Sequence, residues 1–504
     1  MLGLSNGLAW QGFVEQRAGK AIKFSGKATN SSQTYTYDTP FVDFGNCLQL
    51  GTNDFTISCW FKLDDFTNPN GASALDDSIY LIAKHGNHLA TGYNNDDGII
   101  ALYLSAGRMR FLVRDDNGQV FITKNVETDI LSFLAGTCGG DGQPSCNTYN
   151  HEKVQFGTWY HFCVSVDRSG NCVTYFNGQP TANFSTLDIS SSSSDTFNNN
   201  GHWRINTLDD IDGPIQPTYR IPNTYFDECA IWNSALDADN VAAIYNSGNP
   251  INLLADSGDY DESSALQGYW KFGDGVGDVT SPYSVFGWYC TPASGCDPEV
   301  DKFNEGYKRF IIRDQTNTGF GSELWDVTQP STGSWTAYGN NTVAVDDGAI
   351  KITYVDNAYG AKAVLSNATN LSAALEDSGW DTPGARHFYK LSFKIKVNSG
   401  GSVDFEARIS PSSTHYNRSL SPITNTEFQE IDFYIEGEDD TSDSTNYIQF
   451  HGMSSGDIVW IKDISVKKLN GNPGIVQEAH HDLSSHDGEG KAEFVSDAPI
   501  PAQA

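Results

Sequence analysis

Positive charge is scarce in this chain. Lys and Arg number 31 against 63 Asp and Glu, a formal net charge of −32 over 504 residues. So few cations cannot assemble a large basic face, which argues against nucleic acid and against docking on anionic membranes. Apolar runs of about 18 residues are also missing, so no spanning helix and no membrane insertion are expected. The opening MLGLSNGLAW has no basic segment followed by an apolar one. No export signal is therefore expected, and synthesis is expected in a cytoplasm. No phosphate-binding loop, nucleophile elbow or metalloprotease signature occurs.

The nine cysteines form no framework. Cys59 and Cys163 lie inside FTISCWFKL and YHFCVSV, where a small apolar residue suits a strand. Cys138 and Cys146 bracket CGGDGQPSC, and Cys290 and Cys296 bracket CTPASGC. Each pair can close a small loop under oxidising conditions or stay reduced. Neither has a second pair nearby at zinc-ligand spacing.

What is plentiful is aromatic residues and glycine: 28 Phe, 23 Tyr, 11 Trp and 48 Gly. Period-2 runs recur between turn clusters rich in Gly, Asn and Asp, among them FTISCWFKL, GIIALYLSAG, WYHFCVSVDRSG and NCVTYFNGQ. Such runs read as antiparallel strands. One segment breaks the pattern, SALDADNVAAIYNSG, with Asp237 as N-cap, a Leu236–Val241 staple and Gly248 as stop. A second β series runs from AIKITYVD to DIVWIKDISVKKL. The fold class is all-β: two antiparallel β-sandwich (jelly-roll) domains with one short helix near 238–247 and extended termini. The expected divisions are a leader and attachment segment at 1–19, a jelly roll at 20–273, an irregular linker at 274–307, a second sandwich at 308–469 and an extended polar tail at 470–504.

GKAIKFSG, NDFTISCWFKL, GTWYHFCVSVDRSGNCVTYFNGQ and FDECAIWNSALDADNVAAIYNSGN resemble the laminin-G-like, concanavalin-A-like jelly rolls over residues 20–272. EFQEIDFYIEG followed by NYIQFHGMSSGDIVWIKDISVKKL resembles a carbohydrate-binding-module-like jelly roll over 308–469. The arrangement as a whole resembles structural proteins of tailed phages, especially marine ones. That resemblance implies a virion location as a fibre, spike or capsid-surface decoration. It also implies other virion proteins and copies of the chain as partners in a homo-oligomer, with host-surface glycans as targets.

Four constellations bear on chemistry. Glu430-Ile431-Asp432-Phe433-Tyr434-Ile435-Glu436 partly matches the paired-carboxylate strand of retaining glucanases, but Glu436 comes late for the acid. Read as a surface strand, its acids and Tyr434 face water while Ile431, Phe433 and Ile435 face the core. His480, His481 and His486 with Asp482 and Asp487 are a polar tail or a metal cluster. The resemblances imply structural calcium, with Asp227 and Asp463 at positions where acids sit near such ions. No cofactor is otherwise required. Glycans stack on exposed rings, and Trp325, Trp335, Tyr338, Trp380 and Tyr416 lie in polar, loop-like contexts that suit either glycan contact or a subunit interface. Trp60, Trp159, Trp232 and Trp460 read as core or edge packing. The leading expectation is a non-enzymatic virion protein displaying lectin-like domains. The alternatives are a polysaccharide-acting enzyme or its binding modules, and a calcium-containing cellular lectin or adhesin.

Overall fold

The computed structural model describes residues 19–25, 27–28, 37–38, 40–64, 78–85, 99–105, 108–114, 120–122, 126–127, 157–181, 187–198, 201–206, 223–279, 285–288, 307–325, 331–356, 359–364, 388–408, 415–418, 422–436, 447–477, 491–497 and 499. These residues form antiparallel sheets and one α-helix, Ala238–Tyr245. The all-β expectation holds.

In the first sandwich one sheet runs Gln179–Pro180, Asn171–Phe176, Trp159–Val166, Phe55–Leu63, Thr224–Trp232, Ala21–Ser25 and Lys491–Val495. Phe55–Leu63 is buried along its whole length because both its faces are covered. Phe55, Ile57, Cys59 and Phe61 enter the main core. On the other face Thr56 accepts from the Leu236 amide at 2.9 Å and donates to the Ser234 carbonyl at 2.8 Å, tying down the approach to the helix. Asp237 caps that helix by accepting from the Asn240 amide at 2.9 Å. Val241 and Ile244 are buried with Leu236, as the staple requires, and Tyr245 stacks on Trp60 at 5.6 Å. The helix stops at Asn246, which is left-handed at φ 43°, two residues before the expected Gly248.

The opposing sheet does not end with the first sandwich. It runs Val126–Glu127, Arg108–Arg114, Ile99–Ser105, Ser78–His85, Trp203–Ile205, Phe41–Asp43, Gly474–Gln477 and Tyr307–Ile312. It continues through Val285–Trp288, His415–Arg418, Asp404–Arg408, Tyr447–His451, Tyr359–Val364 and Trp335–Ala337 into the second half. The second sandwich is completed by Thr342–Asp346, Ala349–Thr353, Ile458–Leu469, Phe388–Val397 and Gln429–Glu436, with Phe320–Glu323 on Ile458–Leu469. Phe388–Val397 shows near-strict alternation of buried and half-buried residues, and its inward set joins a separate core with Phe405, Ile448 and Phe450.

The strands therefore cross the divisions expected from sequence. Val285–Trp288, placed in the linker, pairs with Tyr307–Ile312 and His415–Arg418. Gly474–Gln477, placed in the tail, lies between Phe41–Asp43 and Tyr307–Ile312. Lys491–Val495, also from the tail, pairs with Ala21–Ser25, and Ala492 and Phe494 pack into the first core. Phe310 and Ile312 belong to the first core as well. An apolar residue at every second position is enough to bury one face of a short strand.

A polar knot fixes the junction. Asp314 accepts from the amides of Tyr269 (3.2 Å), Thr316 (3.0 Å) and Asn472 (3.0 Å), from the Thr316 hydroxyl (2.7 Å) and from Asn472 Nδ2 (3.1 Å). Asp278 accepts from the Arg313, Gly273 and Gly275 amides at 2.7, 2.8 and 3.1 Å. A Cβ at Gly275 would stand 2.5 Å from Gln315 Nε2 and 2.8 Å from both Asp278 carboxylate oxygens, so these side-chain ends would have to shift. Three distant stretches of chain thus meet on two carboxylates.

Candidate functional site

The structure separates the ring positions expected to meet glycans. Trp325 and Trp335 are only 5% and 8% exposed and lie in the second core, with Trp335 stacked on Phe450 at 6.1 Å. Polar sequence neighbours mark loops, but these indoles turn inward, so they offer no face to a sugar and the expectation for them is corrected. Tyr338 is half-buried, and its amide donates to the Gly360 carbonyl at 3.3 Å. Tyr416 sits on His415–Arg418 with its backbone paired to Gly287. Trp380, the histidine cluster and Cys138, Cys146, Cys290 and Cys296 lie outside the described residues. Cys47, Cys59, Cys163, Cys172 and Cys229 are free and buried.

The two acids expected near calcium stand apart. Asp227 is buried beside a bulge on Thr224–Trp232 at which Glu228 takes φ 48°. Its carboxylate accepts from the Glu228 amide at 2.8 Å. Burial, then the neighbouring Glu228 charge, push its pKa well above the ordinary value. Glu228 accepts from the Tyr269 hydroxyl and lies 3.4 Å from Lys271 Nζ. Asp463 is exposed, left-handed at φ 55°, and pairs with Lys394 at 2.9 Å. Among the described residues no three His, Cys, Asp or Glu side chains are grouped to hold a metal.

The carboxylate strand alternates as a surface strand does. Glu430 and Asp432 are exposed and Phe433 is buried. Asp432 is held by Lys390 at 2.9 Å and the Ser392 hydroxyl at 2.9 Å. Tyr434, which with Ile435 occupies the stretch where a glucanase strand needs its acid, does not face water as the surface-strand reading expects but packs against Ile311, Phe388, Leu469 and Ile475. The side chain of Glu436 lies outside the described set. A Ser–His pair also exists, Ser58 Oγ to His161 Nε2 at 2.7 Å, but both residues are sealed beneath the helix. Burial pulls the His161 pKa down to about 3, so the ring is neutral over ordinary pH.

One outward surface combines rings and cations. Along Ile458–Leu469, Val459 and Ile461 enter the core, so Trp460 and Lys462 face out and are half-buried. In register, Lys351, Trp460 and Lys396 form a row across three strands. The Trp460 indole donates to Asp346 Oδ2 at 3.0 Å, and Lys351 pairs with the same carboxylate at 3.2 Å. Those two bonds, the indole's first, hold the Asp346 pKa below the usual carboxylate value. Lys351 and Lys396 lie 5.6 and 5.1 Å from the Trp460 ring centroid. Lys396 and Lys462 lie 4.7 and 4.1 Å from that of Phe428, just before Gln429–Glu436. The sequence reads Trp460 as core or edge packing. The alternation of DIVWIKD sets it half-buried on the face of Lys462.

Residues 36–242 match the Laminin_G_3 family model, described as the concanavalin A-like lectin/glucanases superfamily. Solved structures similar to the chain include the binding domain of Paraclostridial Mosquitocidal Protein 1, 12% identical, covering 80% of this chain and 86% of that one, TM-score 0.28. The native heptameric SAP-like pentraxin from Limulus polyphemus is 16% identical, covers 46% of this chain and 84% of its own, and has a TM-score of 0.28. The CBM22-1 xylan-binding domain from Paenibacillus barcinonensis Xyn10C is 12% identical, covers 30% and 97%, and has a TM-score of 0.22. No curated protein matches the chain.

Proposed function

We propose that this chain is a non-catalytic, glycan-binding structural protein that displays two lectin-type sandwiches on the virion of a tailed phage. Its partners in this reading are other virion proteins, further copies of the chain and glycans of the host surface, and no cofactor is required. The observation that carries the glycan part is the outward row of Trp460, Lys396 and Phe428 on a sheet face. Sugars stack on half-exposed rings, and cations and amides beside them take the hydroxyls. The virion part draws support from the acidic, turn-rich β composition and from the shared sheet and polar knot, which suit a rigid display element.

Two experiments test this reading. Purified full-length protein applied to a bacterial glycan array should bind, and Trp460→Ala should weaken that binding about tenfold or more, which is 1.4 kcal/mol. Unchanged binding in that variant, with its thermal unfolding also unchanged, would remove the site. Electron cryomicroscopy of purified particles should show density for the two sandwiches at a symmetric position, and particles lacking the chain would remove the virion part.

A further inference from the structure

Lys396 and Lys462 stand out on this surface because neither is in a direct ion pair among the described residues, although Lys396 still feels the Asp346 charge. Lys351 is paired with Asp346 at 3.2 Å, Lys394 with Asp463 at 2.9 Å and Lys390 with Asp432 at 2.9 Å. Lys396 and Lys462 form no ion pair among the described residues, and ring faces are their neighbours instead. A half-exposed ring holds an ammonium more weakly than a charge-assisted hydrogen bond does. In a chain of net charge −32, two adjacent cations outside direct ion pairs concentrate positive charge on this face.

We propose that the Trp460–Lys396–Phe428–Lys462 strip binds an anionic polysaccharide, a chain bearing uronate carboxylates or sulfate esters. This inference rests on the glycan-binding reading above and names the ligand chemistry for the same face. The argument is one of exchange. The C–H face of a sugar ring replaces the ammonium over Trp460 or Phe428, and the displaced ammonium gains a carboxylate or sulfate oxygen. A neutral sugar supplies only the first half of that exchange. Trp460 and Phe428 lie two strand spacings apart, about 10 Å, so an extended chain crossing the strands meets both rings and both cations.

The test is titration calorimetry of the full-length protein at low salt with three probes: polygalacturonate, dextran sulfate and neutral dextran. At least one anionic probe is expected to bind tenfold or more tightly than dextran, and the affinity should fall as salt is added. The Lys396→Gln/Lys462→Gln double variant should lose about tenfold in affinity for that probe. The two anionic arms distinguish a carboxylate from a sulfate ligand. Equal binding of dextran, unaffected by the double variant, would overturn the anionic inference while leaving the glycan reading intact. Binding of none of the three probes, or of any glycan on the array, would overturn both. An oligomer that dissociates in the double variant, with no polysaccharide bound, would assign the strip to an acidic surface of a second copy and overturn the inference.

Discussion

Asp227 and Glu228 are adjacent acids at one bulge, and their burial first, with the Glu228 charge beside Asp227 adding to it, costs stability once they ionise. Because the folded pKa of Asp227 is raised, its contribution is present below the ordinary carboxylate value of 3.8 and is lost as pH rises above it. Asp227→Asn keeps an oxygen for the Glu228 amide and removes the charge. The variant should match the parent near pH 4 and be more stable than it at pH 8, measured by thermal unfolding at both values. A variant less stable at pH 8 would mean that the charge has a partner such as a bound cation, as the expectation of calcium there requires. Trp325 and Trp335 teach a related lesson at this scale. Their sequence neighbours are polar, but burial depends on which way a single side chain turns, and local composition does not encode that.

Single strands explain both what could be read from the sequence and what could not. SALDADNVAAIYNSG carries cap, staple and apolar face within fifteen residues, so the helix was readable and lies where expected. Phe55–Leu63 and Phe388–Val397 were readable for the same reason, as long runs with strong β-formers. Lys491–Val495 was not, because five residues with Ala492 and Phe494 on one side look like any polar tail. Its place is fixed only by pairing with Ala21–Ser25, far away in sequence. The surface row was hidden in another way: Lys351, Lys396 and Trp460 come from three strands and meet only through register. Phe494 packs edge-on against Phe310 at 5.4 Å. Phe494→Ala should therefore cost about 2 kcal/mol, seen as a lower denaturant midpoint. An unchanged midpoint would show that the strand contributes nothing to the first core.

Across the described residues, the shared sheet and the Asp314 knot join the two sandwiches, so they are expected to unfold as one cooperative unit. Calorimetry of the parent should show one unfolding transition. Asp314→Ala removes the acceptor of five hydrogen bonds from three chain segments. It should cost about 3 kcal/mol and split the transition in two. A single unshifted transition would mean that the junction is held elsewhere.

The central claim is binding without chemistry. It is tested most directly by incubating the full-length protein with a polysaccharide that it retains, measuring bound polymer and new reducing ends together, with and without a calcium chelator. Saturable binding that Trp460→Ala weakens, with no reducing ends released and no effect of the chelator, is the predicted result. Release of reducing ends at a rate proportional to protein concentration would contradict it.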